Sequence, residues 1–187
     1  MRKFNLSIMM FMSLSIVINI VGGFLALSLK LPVYIDTIGT ILSAVVLGPI
    51  NGGIVGILTA IVNGAMFDPM SFYFLPVQLI IGVSTGLFFK KSKFEGFKSI
   101  FAIIIITILG SITASIIASF VFGGVTSSGS SILVVIFKNL GISTITAVFS
   151  TQIFTDLLDK ATSFGVVFTV VKTIPLRHIQ RNNKSVC

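Results

Sequence analysis

The sequence predicts an all-α membrane protein: six transmembrane helices in a compact bundle, both termini cytoplasmic, with a re-entrant or peripheral helix between the fifth and sixth spans. Three observations lead there. Of 187 residues, 55% are hydrophobic and only 10% charged, with a mean hydropathy of +1.11, whereas soluble domains run nearer 25% charged. Long apolar runs alternate with Gly, Pro and Lys breaks, and six spans of about 20 residues fit this length with short connections. The 13 Lys and Arg, against 5 Asp and Glu, cluster between apolar runs, where they act as topology signals rather than as a nucleic-acid footprint. The composition excludes a soluble enzyme and gives residues 1–187 as a single integral membrane domain. The only cysteine, Cys187, is the last residue, so no disulfide framework exists.

The first span is expected at about residues 5–29. Arg2 and Lys3 precede it and Ala26-Leu27-Ser28 imitates a cleavage site, but the run is longer than a signal core and stays as a helix. Pro32 breaks the pattern, and a second, short span follows at about 33–47, ended by Gly48-Pro49. The third is expected at about 52–67, stopped by Asp68-Pro69, and the fourth at about 72–89, before Lys90, Lys91, Lys93 and Lys98. The fifth, about 99–122, gives way to the turn-rich residues 123–130. Residues 131–150 are apolar enough to span but carry Lys138 and Asn139. Charge decides their placement. With six spans, Arg2, Lys3, Lys90, Lys91, Lys93, Lys98, Lys172, Arg177, Arg181 and Lys184 share the cytoplasmic side, and only Lys30, Lys138 and Lys160 fall outside. A seventh span would put the basic tail outside. Residues 123–153 therefore read as an external lid, with the last span at about 157–174.

The same topology gathers Asp36, Asp68, Asp156 and Asp159 at the external face and leaves Glu95 inside. Ionisable groups beside spans are costly unless paired, so each is a binding-site candidate. Asp36 sits in Tyr34-Ile35-Asp36-Thr37-Ile38-Gly39-Thr40 at the mouth of the second helix. Asp156, Asp159 and Lys160 are spaced to form an ion-pair network where the last span opens. Lys138, Asn139 and Gln152 are the polar groups of the lid, while Asn63, Tyr73 and Gln78 fall in the outer halves of the third and fourth spans. Buried amides need partners, in a neighbouring helix or in a ligand. Phe67, Phe72 and Phe74 are candidates for stacking by location alone. Gly82-Val83-Ser84-Thr85-Gly86 matches the nucleophile-elbow pattern but lies inside a helical run rather than a strand-to-helix turn. His178, the only histidine, belongs to the basic tail, and no metal-ligand spacing or phosphate loop occurs. No cofactor is expected.

Small residues recur at helical spacing: Gly22 and Ala26; Gly52, Gly56 and Ala60; Gly82 and Gly86; Gly110, Ala114 and Ala118. Such stripes let backbones approach closely, mostly within the bundle, although the stripe on the first helix is free to face another protein.

The Tyr34-Ile35-Asp36-Thr37-Ile38-Gly39-Thr40 segment, Leu47-Gly48-Pro49 followed by Gly52-Gly53 and Gly56, and the Asp159-Lys160 pair on the final helix together resemble the substrate-binding S components of energy-coupling factor transporters, over nearly the whole chain. The resemblance implies capture of a vitamin, precursor or similar micronutrient near the external face. It also implies partners: a transmembrane coupling subunit driven by two ATPases. Members commonly carry an Ala-x-x-x-Ala motif on the first helix at the coupling contact; here Gly22 and Ala26 hold that spacing. Four external acids against three lysines, with no external arginine, disfavour a strongly anionic ligand. A pentose-like sugar or polyol comes first, and thiamine or its pyrimidine precursor second, since the same acids balance a cation. Two other classes compete: an ion-coupled secondary transporter, which ordinarily shows internal repeats and charged or broken helices at the midplane, and a membrane ligand sensor reporting to a separate protein.

Overall fold

In lipid, backbone amides have no water to pair with, so apolar runs of this length fold as helices that satisfy their own hydrogen bonds. The computed structural model describes residues 6–89 and 97–173. Arg2, Lys3, Lys90, Lys91, Lys93, Glu95, Arg177, His178, Arg181, Lys184 and Cys187 lie outside the described residues, as does the side chain of Lys98. Among the described residues there are seven α-helices: α1 (Leu6–Ser28), α2 (Ile38–Leu47), α3 (Pro49–Met66), α4 (Leu75–Phe89), α5 (Phe97–Phe122), α6 (Ser131–Asn139) and α7 (Thr144–Thr173). A 3₁₀ turn, Pro69–Phe72, joins α3 to α4. Helices α1, α3 and, from Ser99 on, α5 are long and apolar enough to cross a membrane, while α2 and α4 are shorter apolar helices.

The short α2 packs against α1, α3, α4 and α7, so it is enclosed on nearly every side. Gly48 links it directly to α3 at φ 94° and ψ 178°, a region open only to glycine, and Pro49 starts α3 where its missing N–H costs nothing. Helices α3 and α4 meet through glycine: a Cβ on Gly82 would come within 2.5 Å of the Gly52 carbonyl, and one on Gly56 within 2.7 Å of the Gln78 carbonyl oxygen. The stripes on these helices thus serve internal packing. An apolar core fills one end of the bundle, built from Ile41, Val46 and Leu47 of α2, Phe89 of α4, Ala102 and Ile106 of α5, and Phe164 and Val167 of α7. Met9, Leu14, Val17, Val21 and Leu25 of α1 and Ile104, Ile108, Ile112 and Ile116 of α5 form exposed apolar faces suited to lipid.

Three expectations change. The last helix starts at Thr144 rather than near 157, so Asp156, Asp159 and Lys160 stand in the middle of α7, not at its opening. Of the stretch expected to lie across the surface, only α6 is separate, closed off by Gly141 at φ 85°; residues 144–150 are the first turns of α7. The charges mislead because they mark no helix end: inside the bundle Lys160 pairs with Asp159, and Asp156 accepts from Ser111 of α5 at 2.8 Å. Residues 33–37 are not helical, and Ile35 takes a positive φ of 52°. Finally, Gly22 and Ala26 point inward. Ala26 is 3% exposed and a Cβ on Gly22 would strike the Ile35 carbonyl, because the α1 to α2 connection folds back against this face.

Candidate ligand-binding site

A cavity of about 100 Å³ opens at the other end of the bundle from the apolar core. Its walls are the last turns of α1 and α3, the first turns of α4, and the middle of α7, under connections 29–37, 67–74 and 123–130. Each connection contributes. Ser127 Oγ donates to Asp68 Oδ2 at 2.6 Å, tying the α5 to α6 connection to the α3 terminus, and a Cβ on Gly129 would strike the Lys30 carbonyl. Asp68 also accepts from Met70 N at 3.2 Å, capping the 3₁₀ turn.

The buried face of α7 supplies the charge. Asp159 is fully buried; its Oδ1 accepts from the backbone amides of Ile35 at 2.7 Å and Tyr34 at 3.2 Å, and its Oδ2 pairs with Lys160. Those two amides belong to the segment with the left-handed Ile35, a costly conformation for a β-branched residue that this carboxylate holds in place. Asp156 accepts from Ser111 of α5 at 2.8 Å and from Gln152, one turn earlier, at 3.1 Å.

Asp36 approaches from the connection, positioned by a chain of bonds that begins deep in the bundle. Asn19 of α1 accepts from Gly39 N at 2.6 Å and donates to Thr40 and Thr59 hydroxyls; Thr40 donates to Gln78 Oε1 at 3.1 Å; Gln78 Nε2 donates to Asp36 Oδ2 at 2.8 Å. The Asp36 carboxyl is pushed up to about 6 by burial, with the charge of Asp159 adding and that of Lys160 opposing. Burial likewise pushes the Tyr34 phenol up, and the charge of Asp156 adds to it. Asn63 of α3 lines the same space at 8% exposure, and its side-chain amide bonds to no other side chain among the described residues. Apolar wall comes from Leu27, Val33, Val77 and Ile81 and from Phe24, Phe67 and Phe74; the Phe24 and Phe67 rings lie 5.1 Å apart.

The described residues of this helical chain are covered almost entirely by one family model, described as ECF transporter, substrate-specific component, which matches residues 7–171. The chain belongs to that family. No curated protein and no solved structure matches it at significance. An S component is a membrane-integral, substrate-binding transport subunit rather than an enzyme, and its family works with a coupling subunit and ATPases.

In this S component, seven residues singled out from sequence meet in one cavity: Asp36, Asn63, Asp68, Gln78, Gln152, Asp156 and Lys160. Asp159 sits directly behind them. Three do not join. Tyr73 is 55% exposed with its ring edge-on to Phe122, Lys138 reaches the Gly123 carbonyl at 3.4 Å, and Asn139 is exposed on α6. Of the candidate aromatics, Phe67 and Phe74 line the cavity and Phe72 instead covers Gly64. Sequence reading missed Tyr34, Gly23, Ser127 and Ser128, which also line it. Tyr34 stands beside Asp36 and was within reach; the serines looked like ordinary loop residues.

Proposed function

We propose that this chain is the substrate-capturing subunit of an ECF-type importer. Its cavity receives a small water-soluble micronutrient, and a transmembrane coupling subunit with two ATPases completes transport. The observation that carries the reading is a partly open cavity at one end of a bundle, apolar in most of its wall and carrying a cluster of carboxylates and amides, in a chain whose family is defined by substrate binding. The sides of the membrane follow from charge. The cavity end holds the connections α1 to α2, α3 to α4 and α5 to α7, while in sequence Arg2 and Lys3 precede α1 and Lys90, Lys91 and Lys93 fall between α4 and α5. An excess of Lys and Arg marks the cytoplasmic side, so the cavity faces out.

Tagged chain is to be purified from its native host in mild detergent and its companions identified by mass spectrometry. Recovery of a coupling subunit and two ATPases is the expected result. Recovery of the chain alone, where another S component brings its module down, points to a secondary transporter or sensor.

A further inference from the structure

Resting on the S-component reading, we propose that the ligand is a flat organic cation, bound through a positively charged or amino-bearing ring edge seated between Asp36 and Asn63. This reverses the order that sequence alone suggested, in which a sugar or polyol came first.

The argument starts from what is left unpaired. Gln78 is fully spent, its oxygen on Thr40 and its nitrogen on Asp36. Apart from its own backbone amide, Asp36 accepts a side-chain bond only from Gln78, at Oδ2, and the Asn63 amide, more than nine-tenths buried and lining the cavity, bonds to no other side chain among the described residues. Both groups keep polar atoms open to the cavity, where a ligand can take the place of water. Both groups border one gap. A Cβ at Gly23 would lie 3.1 Å from Asn63 Nδ2 and 3.2 Å from the Asp36 Cβ, so the absence of a side chain there keeps the gap open. Together they offer a carboxylate oxygen beside an amide that both donates and accepts, a set that matches a protonated ring nitrogen next to an amino group.

Charge and surface then select among solutes. Asp36, Asp156 and Asp159 surround a single lysine that is already paired with Asp159, so an anion would enter against uncompensated carboxylates. A polyol would bring hydroxyls against Phe24, Phe67, Phe74 and Ile81, which cannot pair with them. A flat ring gains from the same phenylalanines, and a positive charge near their faces gains further.

The test uses the full chain in detergent, with affinities read by calorimetry. Probes are thiamine and 4-amino-5-hydroxymethyl-2-methylpyrimidine as ring cations, nicotinate as a flat anion, and ribose and ribitol as neutral polyols. At least one ring cation is expected to bind, more tightly than the other three probes. Asp36→Asn should weaken it by about 10-fold to 100-fold and Asn63→Ala by roughly threefold to tenfold. Asn63→Ala should leave the ligand-free melting temperature unchanged, which keeps the test readable if Asp36→Asn folds poorly. A polyol or nicotinate binding more tightly, cation affinity unmoved by both substitutions, or no binding of either cation at millimolar concentration overturns the proposal. Co-purification is scored on the same preparation. Partners present without cation binding defeat the ligand class alone; partners absent defeat the importer reading.

Discussion

At Asp159 one carboxylate accepts from two backbone amides and from Lys160, while lining none of the cavity itself. Its importance is in holding Tyr34 and Ile35 in a conformation they would not keep alone, and through them the position of Asp36. Removing one partner of a buried ion pair leaves the other charge stranded, at about 3–5 kcal/mol. Asp159→Ala is therefore expected to lower the melting temperature by roughly 10 °C in a chain of this size. Asp159→Asn, which keeps an acceptor for the Ile35 amide, should lose less. A thermal melt followed by intrinsic tyrosine fluorescence or by aggregation reads both. The sequence pointed to Asp159 as a ligand group, whereas in the structure it clamps the connection, because spacing reveals a charged cluster and not which member turns toward solvent.

The glycines between α3 and α4 make a different prediction, since their contact is backbone on backbone. Gly82→Val drives a side chain into the carbonyl of Gly52, where no rotamer change relieves it. The expected loss is about 1–3 kcal/mol or more, and displacement of α4 would carry Gln78 away from Asp36. Gly165 of α7 is the control: nothing lies within 4 Å of its Cβ position, so Gly165→Ala is expected to be neutral or to stabilise the helix by up to about 1 kcal/mol. Equal melting temperatures for the two variants would refute the packing account. The glycine spacing on α3 and α4 was legible in sequence as helix contact. The start of α7 was not, because Asp156, Asp159 and Lys160 resemble a helix opening until their partners on α5 and in the connection are known.

For the whole molecule, the prediction concerns which end faces out. In a Cys187→Ser background, Val125→Cys, which is exposed beyond α5, should react with a membrane-impermeant maleimide on intact cells. Lys172→Cys, at the other end of α7, should react only after lysis. The reverse pattern would turn the cavity toward the cytoplasm and contradict import.

Composition and apolar runs by themselves determined that this chain is helical and embedded in lipid, because a run of apolar residues in a membrane has few ways to pair its backbone. The motif around Asp36 and the glycine spacing also placed it among S components. Only the tertiary structure decided that Gly22 and Ala26 turn inward, that Asp159 clamps a connection while Asp36 and Asn63 stand open, and that Tyr73, Lys138 and Asn139 stay outside the cavity. Those outcomes depend on which side of each helix meets a neighbour. That choice is made by contacts among residues as far apart as Ile35 and Asp159, which no local pattern records.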